Sequence, residues 1–115
     1  MEKIMIAKET EERIVRFRDD REWRPFHNPK DLAISVALEA AELLENFQWS
    51  GSETEAPEKL GAIGEEIADV MIYCELLCSR LGLNADTIIN DKLGKNEKKY
   101  PVEKAKGSKK KYTEL

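Results

Sequence analysis

Apolar residues recur at intervals of three and four along most of this chain, which is the period of an α-helix with one buried face. Four segments carry this pattern and predict four helices. They are residues 10–20, residues 29–47, residues 57–81, and a segment that begins at Asn84 or Asp86 and ends near Lys98. No alternating run is long enough for a β-strand. We therefore predict an all-α protein with a four-helix core.

Residues that begin or end helices support these boundaries. Asn28 followed by Pro29 is a favourable pair for the N-cap and first position of the second helix. Gly82 suits the position just after the third helix. Residues 22–29 contain two prolines, and a proline does not continue a helix. The predicted helices are therefore separated by turns and by a polar loop at residues 48–57.

The second and third helices each place a narrow polar strip beside apolar residues, at about 100° per residue. The apolar stripe of the second helix is Leu32, Val36, Ala40, Leu43 and Phe47, widened by Ala33, Ala37, Ala41 and Leu44. Its polar strip is Ser35, Glu39, Glu42 and Asn46. The apolar arc of the third helix is Ile63, Ile67, Val70, Cys74, Leu77 and Leu81, beside a strip of Glu66, Asp69 and Tyr73. Helices this apolar are expected to be buried on most sides, with the two strips facing one internal space.

Each strip carries two carboxylates three residues apart, so both members of a pair lie on one helix face. Four carboxylates that face one space repel each other unless a cation lies between them. An all-oxygen site suits Mg²⁺ or Mn²⁺. A di-iron bundle would need Glu-x-x-His motifs, and the single histidine, His27, lies outside both helices. We predict a divalent-metal site, with the candidate ligands Glu39, Glu42, Glu66 and Asp69.

Other side chains could complement a phosphate-bearing ligand. Lys92 and Asn96 lie one turn apart on the fourth helix, although cations near a helix C-terminus also have a purely structural role. Trp23 and His27 precede the second helix, and Trp49 follows it. Aromatic side chains can stack on a nucleobase, or they can fill the core. The sequence leaves both readings open.

Composition excludes some classes of protein. Charged residues make up 37% of the chain and the net charge is −4, which argues against a general nucleic-acid-binding surface. Residues 1–6 are too short and too charged for a signal peptide, and no apolar run approaches the roughly 18 residues of a membrane span. Cys74 and Cys78 have poor geometry for a disulfide and are expected to be core thiols. We expect a soluble, cytoplasmic protein.

The two acidic motifs, separated by residues 43–65, resemble the signature of the MazG-like, all-α nucleoside triphosphate pyrophosphohydrolases. Within that superfamily the chain most resembles the small dCTP-pyrophosphatase-like branch. The resembling stretches are residues 21–27, 38–49, 65–73, 92–101 and 109–115, so the resemblance covers nearly the whole chain. MazG itself tends to carry a doubled glutamate where Leu38 precedes Glu39 here, and this departure favours the same branch.

The resemblance implies a fold, an activity and an assembly. It implies a MazG-like domain over residues 1–103 and a basic tail over residues 104–115. It also implies a homodimer or homotetramer in which helices of neighbouring subunits complete the pocket. The implied activity is Mg²⁺-dependent hydrolysis of a (deoxy)nucleoside triphosphate, such as dCTP or a modified form, to the monophosphate and pyrophosphate. The alternative is a non-catalytic helical interaction module that binds a cation structurally.

The resemblance also implies roles for individual residues. Mg²⁺ would be held by Glu39, Glu42, Glu66 and Asp69. The nucleotide pocket would be lined by Trp23, His27, Trp49 and Tyr73. Phosphates would be contacted by Lys92 and Asn96. Glu39 or Glu42 would orient the attacking water, and Glu65 either assists the site or is a surface glutamate.

Overall fold

The computed structural model describes residues 6–115 and confirms the all-α prediction, because these residues form helices and turns without a β-strand. The α-helices are α1 (Lys8–Asp20), α2 (Pro29–Glu45), α3 (Leu60–Leu81), α4 (Ala85–Lys99) and the single turn α5 (Val102–Ala105). Three 3₁₀ turns accompany them, at Arg24–Phe26, Pro57–Lys59 and Tyr112–Glu114. The expectation about a signal peptide concerns residues 1–6, of which 1–5 lie outside the described residues.

Capping side chains form at the predicted places. The Asn28 side chain accepts a hydrogen bond from the Asp31 amide at 2.9 Å, which satisfies one of the free donors at the start of α2. Asn84 caps α4 in the same way, through the Thr87 amide at 3.0 Å. Gly82 ends α3 with a φ of 69°, a left-handed conformation that costs glycine little. Local sequence therefore sets these three helix ends.

Three helix ends differ from the prediction by two or three residues. α1 begins at Lys8, and α2 ends at Glu45, after which the chain turns. α3 begins at Leu60, because the residues before it take another conformation. Ala56 is left-handed with a φ of 44°, and Pro57 then opens a 3₁₀ turn.

The described chain forms two compact units, residues 6–82 and residues 83–115. In the first unit α2 and α3 make the most extensive helix contact, and α1 packs on α3. Its core is Ile14 of α1, Leu32 of α2 and Leu76 of α3, with Ile72, Tyr73 and Leu77 packed against it. Since a residue near the start of α2 meets one near the end of α3, these two helices run antiparallel. The Lys59 ammonium also donates to the Asn46 carbonyl at 2.9 Å, which joins the other ends of the pair.

The buried face of α3 is not the predicted arc. Leu76 is buried, whereas Ile67, Cys74 and Leu81 of the predicted arc are exposed. The difference arises because α1 packs against the side of α3 that carries Leu76. The interpretation of Cys74 as a core thiol is therefore wrong, while Cys78 is half-buried and both thiols are free.

Helix α2 is also less buried than predicted. Leu32 is 1% exposed, but the residues that widen its apolar stripe are largely open. These exposed residues are Ala33, Ala37, Ala41 and Leu44. Within the described chain, α2 therefore buries one side only.

The second unit contains α4, α5 and the lysine-rich tail. The Tyr112 ring packs edge-on against Tyr100 at a centroid distance of 5.9 Å, and the Lys99 ammonium lies 4.8 Å from the Tyr112 ring centre. These contacts bring the end of the tail to the end of α4. The predicted domain boundary at residue 103 stays a prediction. Within the described residues, no helix combines the length and apolar composition needed to cross a membrane.

Candidate functional site

The antiparallel pairing of α2 and α3 brings three carboxylates together. Glu39 and Glu42 lie in the middle of α2, level with Glu66 of α3, and one ligand oxygen from each lies within 4.8 Å of the other two. Glu39 and Glu66 are half-buried, and Glu42 is exposed. Oxygen atoms at this spacing can share one cation. The structure therefore brings together three of the four predicted metal ligands.

Asp69, the fourth predicted ligand, lies one turn beyond Glu66 on the same face of α3. Its oxygens fall outside the 4.8 Å group. Its negative charge nevertheless acts on both Glu39 and Glu66 and raises the pKa of each. Asp69 also lines the same cleft as Glu39. It therefore belongs to the same acidic site, at its edge.

Without a cation, the carboxylates lack ion-pair partners, and some of their oxygens lack hydrogen-bond partners, within the described residues. Burial, the adjacent Glu42 carboxyl and the charges of Asp69 and Glu66 raise the pKa of Glu39 to about 7. Burial is also the largest cause of the raised pKa of Glu66, followed by Glu42. One oxygen of Glu39 and one of Glu66 are buried without a hydrogen-bond partner. In the described part of the chain, no basic side chain forms an ion pair with these carboxylates, so a divalent cation fits this donor set.

A cleft of about 860 Å³ opens beside the carboxylates, within the first unit. The lining side chains that bear on function are Arg18, Trp23, His27, Glu39, Asp69 and Tyr73. The His27 ring lies between two other rings, 6.5 Å from Tyr73 and 6.3 Å from Trp23 by centroid distance. The cleft thus runs from an acidic end along a row of aromatic rings. Its volume lies within the range of small-molecule sites.

The roles of the other predicted nucleotide-binding residues stay predictions. Trp49 is 91% exposed, with a φ of 68°, and does not line this cleft. Lys92 is exposed and Asn96 is half-buried on α4 of the second unit, and their roles stay predictions. Glu65 is exposed, and its charge contributes to the raised pKa of Glu66.

Sequence analysis missed Arg18, a buried basic residue of the cleft. Arg18 is buried, with 7% exposure, and its Nε donates to the Asp19 carboxylate at 2.8 Å. Burial, and then the Arg18 charge, lower the pKa of His27, which keeps the imidazole neutral at physiological pH. A signal was available, because Arg18 follows the core residue Ile14 by four positions and therefore shares its helix face.

Comparison with known proteins agrees with the geometry of the acidic site. The sequence profile of the MazG-like family matches residues 34–115, a range that includes all four acidic residues. The chain belongs to the MazG-like family. The resemblance inferred from the acidic motifs is thereby confirmed.

Similar proteins include dCTP pyrophosphatase 1 from rat and from human. Each is 35% identical to this chain over 104 residues, which cover 86% of this chain and 61% of the relative. The chain therefore spans less than two thirds of the length of these relatives. A crystal structure of a pyrophosphatase from Archaeoglobus fulgidus is 39% identical, with a TM-score of 0.74. That likeness covers 86% of this chain and 99% of the archaeal chain.

Replacing Glu39 by glutamine is expected to change how the stability of the metal-free protein depends on pH. The folded-state pKa of about 7 lies above the ordinary value of 4.5, so ionisation between these values lowers the free energy of unfolding as pH rises. Glu39→Gln cannot ionise. We therefore expect a higher melting temperature than wild type near pH 8, and an advantage that disappears near pH 4.

The measurement is thermal unfolding followed by circular dichroism in the presence of EDTA. Glu45→Gln, at an exposed position of the same helix, is the matched control and should follow wild type. A Glu39→Gln protein whose stability differs from wild type by the same amount at both pH values would contradict the electrostatic explanation.

Proposed function

We propose that this protein is a Mg²⁺-dependent nucleoside triphosphate pyrophosphohydrolase. It converts a (deoxy)nucleoside triphosphate, with dCTP or a modified pyrimidine form preferred, to the monophosphate and pyrophosphate. Such an activity removes unwanted nucleotides from the cytoplasmic pool. The observation that carries the proposal is the pair of buried, unpartnered carboxylate oxygens of Glu39 and Glu66, of which Glu39 lines a cleft that also contains aromatic rings.

The acidic residues fit a hard divalent cation. Glu39, Glu42, Glu66 and Asp69 would hold Mg²⁺, or Mn²⁺ in its place, since both ions prefer oxygen ligands. When bound, the ion supplies charge neutralisation and Lewis acidity at the substrate phosphates. Without it, the acidic end of the cleft repels a triphosphate.

Hydrolysis requires a water that attacks phosphorus at the α–β phosphoanhydride linkage. By family resemblance, we assign the orientation of this water and the acceptance of its proton to Glu39 or Glu42. Pyrophosphate then leaves from the α-phosphorus.

The rest of the cleft is suited to the nucleoside. Trp23, His27 and Tyr73 present aromatic rings in the cleft that Glu39 and Asp69 also line, and a base can stack on such rings. Burial and the nearby negative charges raise the pKa of Tyr73, so its hydroxyl keeps its proton and can donate a hydrogen bond. We assign Lys92 and Asn96 to the phosphates and Trp49 to the nucleotide pocket by family resemblance. The names of the similar rat and human proteins support dCTP as the first candidate.

Release of pyrophosphate is the direct test of activity. We expect the protein with Mg²⁺ to release one pyrophosphate for each monophosphate formed from a panel of dNTPs that includes 5-modified deoxycytidine triphosphates. EDTA should stop the reaction. Folded, metal-loaded protein that turns over no nucleotide would favour the non-catalytic interaction module instead.

Neutralising an acidic ligand should remove hydrolysis while leaving the fold intact. We expect Glu39→Gln and Asp69→Asn each to lower kcat/KM by about 100-fold or more, because several kcal/mol of charge stabilisation depend on the bound metal. Circular dichroism should show unchanged helix content. Glu45→Gln is the matched control on α2 and should retain activity. Wild-type-like activity in either acidic-site variant would refute the ligand assignment.

We also propose that the protein is a homodimer or homotetramer. On α2, Leu38 is 61% exposed and Leu44 is 70% exposed, and on α3 Leu60 is 74% exposed. Large apolar side chains left open to solvent on two helices that pack together favour association. A second copy of the chain would cover these residues, as the family resemblance implies.

The assembly prediction is tested by light scattering after size-exclusion chromatography. We expect a mass of at least two chains of 13.2 kDa for wild type. The double variant Leu38→Glu/Leu44→Glu should shift toward one chain, because charges in an apolar interface are costly to desolvate. Gln48→Glu introduces charge at an exposed polar position and should not change the mass. A monomeric wild type at micromolar concentration would contradict the assembly.

A further inference from the structure

Arg18 is a buried cation in the cleft with part of its hydrogen-bonding capacity unused. Its side chain is 9% exposed and lines the cleft. Within residues 6–115, Nε donates to Asp19 at 2.8 Å, and the two Nη groups have no hydrogen-bond partner. These Nη atoms are not among the buried atoms that lack a partner, so they are not cut off from solvent. The arrangement therefore leaves a guanidinium fork available to a ligand.

The position of Arg18 is fixed by a row of contacts that begins at the acidic end. Asp69 and Tyr73 lie one turn apart on α3. The Tyr73 ring contacts His27, and His27 contacts Trp23. The Trp23 amide donates to the Arg18 carbonyl at 3.1 Å. These contacts place the Arg18 backbone beside Trp23, and the Arg18 charge acts on His27 in the middle of the row.

The charges that act on these groups place Arg18 away from the carboxylates. The charges that act on Glu39 are those of Glu42, Asp69 and Glu66, whereas the charge of Arg18 acts on His27. A triphosphate directed to the acidic end would therefore place its nucleobase along the rings, near Arg18. The carboxylate of Asp19 also offsets the charge of Arg18, which suits the guanidinium to a neutral base edge better than to a phosphate.

We propose that Arg18 recognises the O2 and N3 edge of cytosine, an assignment that rests on the proposed function. Two adjacent acceptors match the parallel donors of a guanidinium fork, as in the bidentate contacts of arginine with guanine. Uracil has a similar shape, but its N3 is a donor and leaves one Nη group unpaired. A site built to hydrogen-bond an edge rejects the analogue that lacks the acceptor. Groups added at C5 of cytosine leave this edge unchanged.

The test compares dCTP with dUTP in wild type, Arg18→Gln, Arg18→Lys and the control Arg16→Gln. Arg16 is an exposed residue of α1 that does not line the cleft, so its loss controls for the charge change. We expect Arg18→Gln to lower kcat/KM for dCTP about tenfold or more, chiefly through KM, with a much smaller effect on dUTP. Arg18→Lys keeps the positive charge but lacks the two parallel donors of the guanidinium, so this variant should also lose the preference for dCTP over dUTP.

Calorimetric binding of the α,β-imido analogues of dCTP and dUTP, with Mg²⁺, separates this proposal from the proposed function. If wild type hydrolyses no nucleotide, the proposed function fails, and an Arg18-dependent preference for the cytosine analogue would still support the assignment. Equal losses for both bases in Arg18→Gln, or full preference in Arg18→Lys, would overturn it. An Arg18-dependent preference for dGTP over dCTP would also overturn the choice of cytosine. Melting curves of the two variants verify that each is folded.

Discussion

Repulsion among Glu39, Glu42 and Glu66 is the interaction on which the rest of this structure depends. Their oxygens lie within 4.8 Å of one another, and burial strengthens the repulsion by removing water. Burial and this repulsion raise the pKa of Glu39 to about 7, so this carboxyl is partly protonated near neutral pH and part of the repulsion is removed. A bound divalent cation would neutralise the remaining negative charge. The site is therefore less stable on its own than with a metal bound, as expected for a binding site.

A small apolar core holds these charges in place. Leu32 and Leu76 bury themselves against Ile14, and this contact sets the antiparallel register of α2 and α3. A shift of one turn along either helix would separate Glu42 from Glu66. The same α1 that supplies Ile14 also supplies Arg18, so packing of α1 on α3 completes the cleft as well as the core.

Much of the site could be predicted because its signals are local. Pairs of carboxylates at i and i+3 share a helix face wherever the helix lies, and His27 and Tyr73 were identified by residue type and position. Arg18 was missed because residue type alone predicts a solvated arginine, although its spacing of four from Ile14 places it on the buried face of α1. The role of Trp49 stays a prediction, because its side chain is 91% exposed in the single chain and does not line the cleft.

The sequence by itself determined the helices, the capping residues Asn28 and Asn84, and the acidic faces, because hydrogen bonds and periodicity within one segment decide them. Only the tertiary structure decided that α3 packs through Leu76 and leaves Ile67 exposed. Several faces of α3 are apolar enough to be buried, and the choice among them depends on which helix packs there. That choice is an interaction between distant segments, which periodicity within one helix cannot specify.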